Sequence, residues 1–175
     1  GVEKPEIQVE YLGALCRHLS FQEWPFTPET IYIGGGTPSL LRPEELARIV
    51  EQIPGYPWRE FTMEAAPGSL QPQWVSEWVR LGVNRVSLGV QSFVEKELRQ
   101  TGRRHSALTV VEDCNLLRQA GIGNFNLDLI AGLPFQTQES WEESLTWVER
   151  LQPPHVSVYM LEVDEDSRLG LEILG

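Results

Sequence analysis

Five short apolar runs recur along the chain with helix-forming segments between them, and this rhythm limits the fold more than any other feature. The runs are Thr30–Ile33, Phe61–Glu64, Arg85–Val90, Asn124–Ile130 and His155–Val163. They start about 25 to 40 residues apart, the spacing of βα units. Helical periodicity fills the intervals. Ile7–Leu19 carries Val9, Leu12, Leu15 and Cys16 on one face, and Pro43–Ile53 turns Leu46, Ile49 and Val50 inward. Further helices are expected over Pro72–Leu81, Val94–Gln100, Leu108–Ala120 and Glu139–Leu151, the last followed by Pro153-Pro154. Ser39 is placed to cap a turn ahead of Pro43, and Pro67-Gly68 ends the second run. Such alternation implies parallel strands joined by right-handed crossovers. Two α/β architectures satisfy it, an open doubly wound sheet and a complete or partial barrel. Because a helix precedes the first run, the expected βα order lacks its first strand. The edge so left would be covered by a partner or a second copy in an oligomer.

In both architectures ligands meet the carboxyl ends of the strands. The first run ends in Gly34-Gly35-Gly36-Thr37, where bare backbone can approach a ligand. The second ends at Glu64 and the third at Gly89-Val90-Gln91. The fourth holds Asn126 and Asp128 before Gly132-Leu133-Pro134, and Glu162 lies at the end of the fifth. Taken singly, each is a tight turn or a solvated polar residue. Recurrence at strand after strand marks a common rim.

Several chemistries are excluded. Neither G-x-G-x-x-G nor G-x-x-x-x-G-K-[ST] occurs, so the glycines form no dinucleotide fingerprint or phosphate loop. No Ser/His/Asp or Cys/His arrangement stands out. The formal net charge is −11, with 14 Lys and Arg against 25 Asp and Glu, and no basic block. That argues against nucleic-acid binding and against an anionic membrane surface. No long uncharged apolar stretch is present, so no membrane insertion is expected. Cys16 and Cys114 are not metal-spaced and read as two buried thiols of a reducing cytoplasm. Arg103, Arg104 and His105 make a small basic spot, either a solvated loop or an arginine fork for a carboxylate. Asp164, Glu165 and Asp166 read as an acidic loop, and the six tryptophans as packing residues.

Together, IGGGTPSLL, MEAAPGSL, GVNRVSLGVQSF, TGRRHS and NLDLIAGLPFQT resemble radical S-adenosylmethionine proteins. More narrowly they resemble the oxygen-independent coproporphyrinogen III oxidase family and its haem-chaperone branch, over nearly the whole chain and in order. The resemblance implies a partial (β/α)6 barrel of TIM type. Its rim would hold S-adenosylmethionine beside a [4Fe–4S] cluster, whose electron would release methionine and a 5′-deoxyadenosyl radical. Residue by residue, Gly35, Gly36 and Thr37 would contact the methionine part, and Glu64, Gln91 and Asp128 would make polar contacts that include ribose hydroxyls. Arg103 would pair with the methionine carboxylate. Ala65-Ala66 stands where many relatives have Ala-Asn, which puts a side-chain contact there in doubt.

One departure is severe: the family's C-x-x-x-C-x-x-C motif is absent, and Cys16 and Cys114 cannot imitate it. The haem-binding C-terminal region of the chaperone branch is absent too. The expectation is a central fragment, residues 1–175 of a single domain, inactive in radical chemistry alone. Its parent would be a haem-chaperone-like protein holding the cluster and haem or a porphyrin, a reading favoured by GGGTPSLL and GRRHS. The alternatives are a coproporphyrinogen III dehydrogenase, which decarboxylates two propionates oxidatively, and a non-catalytic barrel-type interaction domain.

Overall fold

The computed structural model describes residues 5–163. The elements follow in the order α1 (Pro5–Phe21), β1 (Thr30–Ile33), a 3-10 turn (Pro38–Leu40), α2 (Pro43–Val50), β2 (Glu60–Ala65), α3 (Pro72–Arg80) and β3 (Arg85–Gln91). Then come α4 (Glu95–Gln100), α5 (Ala107–Gln119), β4 (Asn124–Ala131), α6 (Gln138–Leu151) and β5 (His155–Met160). Local sequence explains where the helices start. Pro43 and Pro72 sit at the first helical position, where a missing N–H costs nothing. Ser106 and Thr137 cap α5 and α6, each side-chain oxygen accepting an N–H three residues on, from Thr109 and Ser140, at 3.2 Å.

All five strands are parallel and lie in chain order, β1-β2-β3-β4-β5. A doubly wound sheet reverses its order at a switch point; this one never does. The sheet is therefore the wall of a partial barrel. Its two faces differ in chemistry, as the period of two requires. Ile31, Phe61, Met63, Val86, Leu88, Phe125, Leu127 and Leu129 turn outward and are buried beneath the helices with Leu46, Val75, Trp78, Val110 and Leu117. Alternate residues turn to the inner face: Tyr32, Thr62, Glu64, Ser87, Gly89, Asn126, Asp128, Ser157 and Tyr159. Nearly every inward position is polar or glycine.

Several expectations are corrected. Val9 is exposed, and Leu12 is the buried residue of α1. The only helix that packs substantially on α1 is α2, whose 8 residues cannot cover 17, so the amino-terminal turns of α1 overhang among the described residues. Helix α2 ends at Val50, three residues before Ile53. Pro54 disfavours helical backbone at Ile53, and the chain closes with i→i+3 bonds, Ile53 N–H to Val50 O at 3.0 Å. Ser39 does not cap the turn but lies inside it, between Pro38 and Leu40. It is buried, meets Ser69 Oγ at 2.6 Å and accepts the Ala66 N–H at 3.3 Å, tying the loop after β1 to the loop after β2. Strand β5 ends at Met160, where its neighbour β4 runs out at Ala131. Cys114 is buried as expected, but Cys16 is only partly so. The acidic run Asp164–Asp166 lies outside the described residues.

Candidate functional site

The three glycines after β1 have three separate reasons. A side chain at Gly34 would place its Cβ 2.8 Å from Glu64 Oε1 and from Tyr32 Cε1, so Gly34 lets those two groups meet. The Tyr32 hydroxyl donates to Glu64 Oε1 at 2.6 Å, and the Gly35 N–H donates to Oε2 at 3.0 Å. Both carboxylate oxygens of Glu64 are thereby held. Burial pushes the Tyr32 phenol well above its ordinary pKa, helped by its bond to Glu64 and by the charges of Glu64 and Asp128. Gly35 has φ +109°, which a side chain would strain. Gly36 has neither reason. Its φ is ordinary and nothing lies within 4 Å of an added Cβ. Neither strain nor a contact within the fold requires Gly36 to be bare, and open space lies in front of it.

Strand β3 carries the next group. Its register with β4 shifts between Leu88 and Gln91, a bulge, and Gln91 has φ +67°. Such backbone in a non-glycine residue costs on the order of 1 kcal/mol and clusters at functional sites. Beside the bulge, the Gly89 and Val90 carbonyls have partners outside the sheet: the TGRRHS loop meets both, and Val90 O also accepts the Ser92 N–H at 2.8 Å. Arg103 donates to Gly89 O at 3.1 Å, and His105 Nε2 meets Val90 O at 3.0 Å. Burial lowers the pKa of both side chains. For His105 the Val90 carbonyl opposes this, while the charge of Arg103 adds to it. The remaining N–H groups of Arg103 stay available to a ligand. Arg104 is exposed.

Strand β4 supplies Asp128. Ser87 donates to its Oδ2 at 2.7 Å and Asn126 to its Oδ1 at 2.6 Å. The carboxylate is thus gripped from beneath, with its outer lone pairs facing the cleft.

These groups border one open cleft of about 270 Å3 at the carboxyl ends of the strands, lined by Tyr32, Gly35, Gly36, Thr37, Pro38, Glu64, Ala65, Ala66, Ser87, Gly89, Gln91, Arg103, Asp128 and Tyr159. All seven residues singled out in the sequence, Gly35, Gly36, Thr37, Glu64, Gln91, Arg103 and Asp128, come together there. Other rim candidates, Asn126, Glu162 and the Gly132–Pro134 turn among them, do not. Asn126 is buried beneath the cleft, and Glu162 is exposed past the end of β5. The Gly132–Pro134 turn is pinned elsewhere by Gln136, which accepts the Gly132 N–H at 2.6 Å and donates to Glu97 Oε2 and Ile130 O at 3.1 Å. Tyr32, Ser87 and Tyr159 were missed. They share the strand parity of Glu64 and Asp128, which was the signal available for them.

A cation, two carboxylates, an amide and exposed backbone in one cleft can bind a ligand bearing a carboxylate, an ammonium and hydroxyls. The glycine floor fits such a ligand, because the space at Gly35 and Gly36 is vacated by side chains the fold could otherwise hold at Gly36. The cysteines do not fit an iron–sulfur cluster. Cys16 reaches only Arg48 O at 3.6 Å, and Cys114 is buried, its thiol pushed up to about 11 by burial. No group of three His, Cys, Asp or Glu placed to hold a metal occurs among the described residues. Among them, too, no helix is long and apolar enough to cross a membrane.

Comparison with known proteins bears on the family. The model of the Radical SAM superfamily matches residues 2–148. The chain is 39% identical over 142 residues to "Heme chaperone HemW" of Haemophilus influenzae, covering 79% of this chain and 37% of that protein. It is 38% identical over 146 residues to "Heme chaperone HemW" of Escherichia coli, covering 81% and 39%. Among solved structures it is similar to the coproporphyrinogen III oxidase HemN of Escherichia coli, described as a radical SAM enzyme. There the TM-score is 0.85 at 26% identity, over 93% of this chain and 39% of that one. The chain thus spans about two fifths of the length of these relatives.

Proposed function

The chain belongs to the radical SAM superfamily, and on that premise we propose that the rim cleft binds S-adenosylmethionine in a parent protein of the haem-chaperone type. The reading rests on one observation: glycines, two carboxylates, an amide and an arginine from five separate chain segments border a single cleft. The Arg103 fork pairs with the amino-acid carboxylate of the ligand. Gly36 and Thr37 offer backbone against the methionine part, and Glu64, Gln91 and Asp128 take the ammonium and the ribose hydroxyls. When bound, S-adenosylmethionine supplies the sulfonium–carbon bond whose reductive cleavage characterises the superfamily. The part of this chain is to bind and orient, with Tyr32 and the Gly35 N–H holding Glu64, and Ser87 holding Asp128. Because Cys16 and Cys114 do not fit a [4Fe–4S] cluster, that cluster belongs in this reading to other residues of the parent, and no step is routed through it.

Identity of 38–39% to haem chaperones against 26% to the oxidase favours the chaperone as parent, with haem as its partner. Two measurements on the intact protein test this. Calorimetry with S-adenosylmethionine is expected to show saturable binding that Asp128→Ala weakens; binding untouched by that change removes Asp128 from the site. Anaerobic product analysis with coproporphyrinogen III is expected to show no decarboxylation alongside stable haem binding, and conversion of the substrate would assign the oxidase activity instead.

A further inference from the structure

Beneath the cleft lies a buried amide that the proposed binding roles leave unused. Asn126 is 1% exposed, on the inner face of β4. Its Nδ2 lies 2.6 Å from Asp128 Oδ1, 2.9 Å from Ser87 Oγ and 3.0 Å from Ser157 Oγ. Its Oδ1 faces His155 Nδ1 and lies 3.3 Å from Ser157 Oγ. Three strands, β3, β4 and β5, therefore meet at one side chain.

The chemistry of the partners fixes the orientation of this amide. An ionised carboxylate can only accept, so Asp128 requires the NH2 end of Asn126 to face it. The carbonyl end then faces β5. A carbonyl can only accept, so His155 must carry its proton on Nδ1, the nitrogen that unconstrained neutral histidine leaves bare. The Ser87 hydroxyl fits the same direction of donation, accepting from Asn126 Nδ2 and donating to Asp128 Oδ2 at 2.7 Å. Ser157 completes the set, because an amide with two N–H bonds and three acceptors in reach leaves one serine free to donate to Oδ1. Every donor runs towards Asp128, and both carboxylate oxygens are held.

We propose that Asn126 is a positioning residue: oriented from β5 by His155, it sets with Ser87 the direction in which Asp128 presents its carboxylate to the cleft. This rests on the reading that Asp128 contacts S-adenosylmethionine. Asn126 itself is not in the cleft lining, so it acts through Asp128 and not on the ligand.

The test has two arms on the intact protein. In the first, 15N-histidine NMR above the imidazole pKa, with His155→Gln for assignment, reads which ring nitrogen of His155 carries the proton. The expected form is Nδ1–H in the natural protein and in Asn126→Asp, whose carboxylate still accepts from it. Nε2–H is expected in Asn126→Ala. An Nε2–H form in the natural protein overturns the chain of donors without reference to any variant. The second arm measures affinity for S-adenosylmethionine. Asn126→Ala and Asn126→Asp are each expected to lose about tenfold or more, the scale of a hydrogen bond to a charged group. Asn126→Ala with Asp128→Ala is expected to be no weaker than Asp128→Ala alone. Additive losses overturn the positioning role, since Asn126 would then act independently of Asp128. If Asp128→Ala has no effect, the binding role of Asp128 falls, and the tautomer of His155 still decides whether Asn126 is oriented as argued.

Discussion

Replacing Gly34, Gly35 and Gly36 by alanine, one at a time, separates what the fold needs from what a ligand needs. At Gly34 the new Cβ meets Glu64 Oε1 at 2.8 Å and Glu64 Cδ at 2.9 Å, so the carboxylate must move and its bond from Tyr32 is strained or lost. That costs about 1 kcal/mol of stability, the net worth of one hydrogen bond. At Gly35, φ +109° lies outside the regions open to alanine. The strain is at least about 1–2 kcal/mol, offset in part by the reduced freedom of the unfolded chain. At Gly36 there is no strain and nothing within 4 Å. Alanine there should stabilise the fold by about 0.4–1 kcal/mol through the unfolded state. The same methyl intrudes on the space assigned to the methionine part of the ligand, and overpacking of about 1–3 kcal/mol corresponds to a loss of affinity of roughly 5- to 150-fold. Urea denaturation and calorimetric titration with S-adenosylmethionine on the intact protein read the two effects separately. A Gly36→Ala protein that is as stable as the natural one and binds equally well would refute the reasoning.

Gln91→Ala and Asp128→Ala should each weaken S-adenosylmethionine binding by roughly 1–3 kcal/mol while the protein stays folded, Asp128→Ala with a lowered urea midpoint because the buried Ser87 and Asn126 lose their acceptor; unchanged titrations would remove both from the cleft's function. Asp113 offers a test of the fold. It is buried on α5 and accepts the Gly68 N–H at 2.7 Å. Burial raises its pKa from 3.8 to about 6, opposed by the Gly68 N–H and aided by the charge of Glu112. The native state therefore holds its proton more tightly than the unfolded state, and stability falls as pH rises between those two values, by at most about 3 kcal/mol. Asp113→Asn keeps an acceptor for Gly68 without the charge. It should be more stable than the natural protein above pH 6, with the difference shrinking towards pH 4, by urea midpoints across that range; a constant difference would contradict the burial argument. Ser87→Ala removes the donor to Asp128 Oδ2 and should lower affinity by about tenfold while costing about 1 kcal/mol of stability, read by calorimetric titration and urea denaturation.

Much of this architecture was legible in the chain because local signals and global fold agree. Thr30–Ile33 is bounded as its composition implies, and Pro43, Pro72, Ser106 and Thr137 mark helix starts by chemistry that acts within a few residues. What the sequence did not disclose depends on neighbours distant along the chain. The end of β5 is set by where β4 runs out, and the exposure of Val9 by the shortness of α2. The bulge in β3 has no local signature beyond Gly89, so the contacts of Arg103 and His105 with the Gly89 and Val90 carbonyls could not be foreseen. Six of the seven rim residues lie at strand ends, which can be read from sequence; Arg103 lies in the loop between α4 and α5 and was singled out through the family resemblance. Tyr32, Ser87 and Tyr159 were missed because the rim was searched only at those ends, whereas the inner face runs the length of each strand. Asn126 stood among the rim candidates, yet its burial and three of its four partners, Ser87, His155 and Ser157, depend on register between strands.

The most direct measurement is a titration of the intact, isotope-labelled protein with S-adenosylmethionine, followed at the backbone amides. The amides of Gly35, Gly36, Gln91 and Asp128 should move together on one saturable curve, with those at the amino ends of the strands, such as Thr30 and Asn124, unmoved. Saturable shifts that leave these four amides in place, or that fall at the opposite end of the sheet, would contradict the assignment of this cleft.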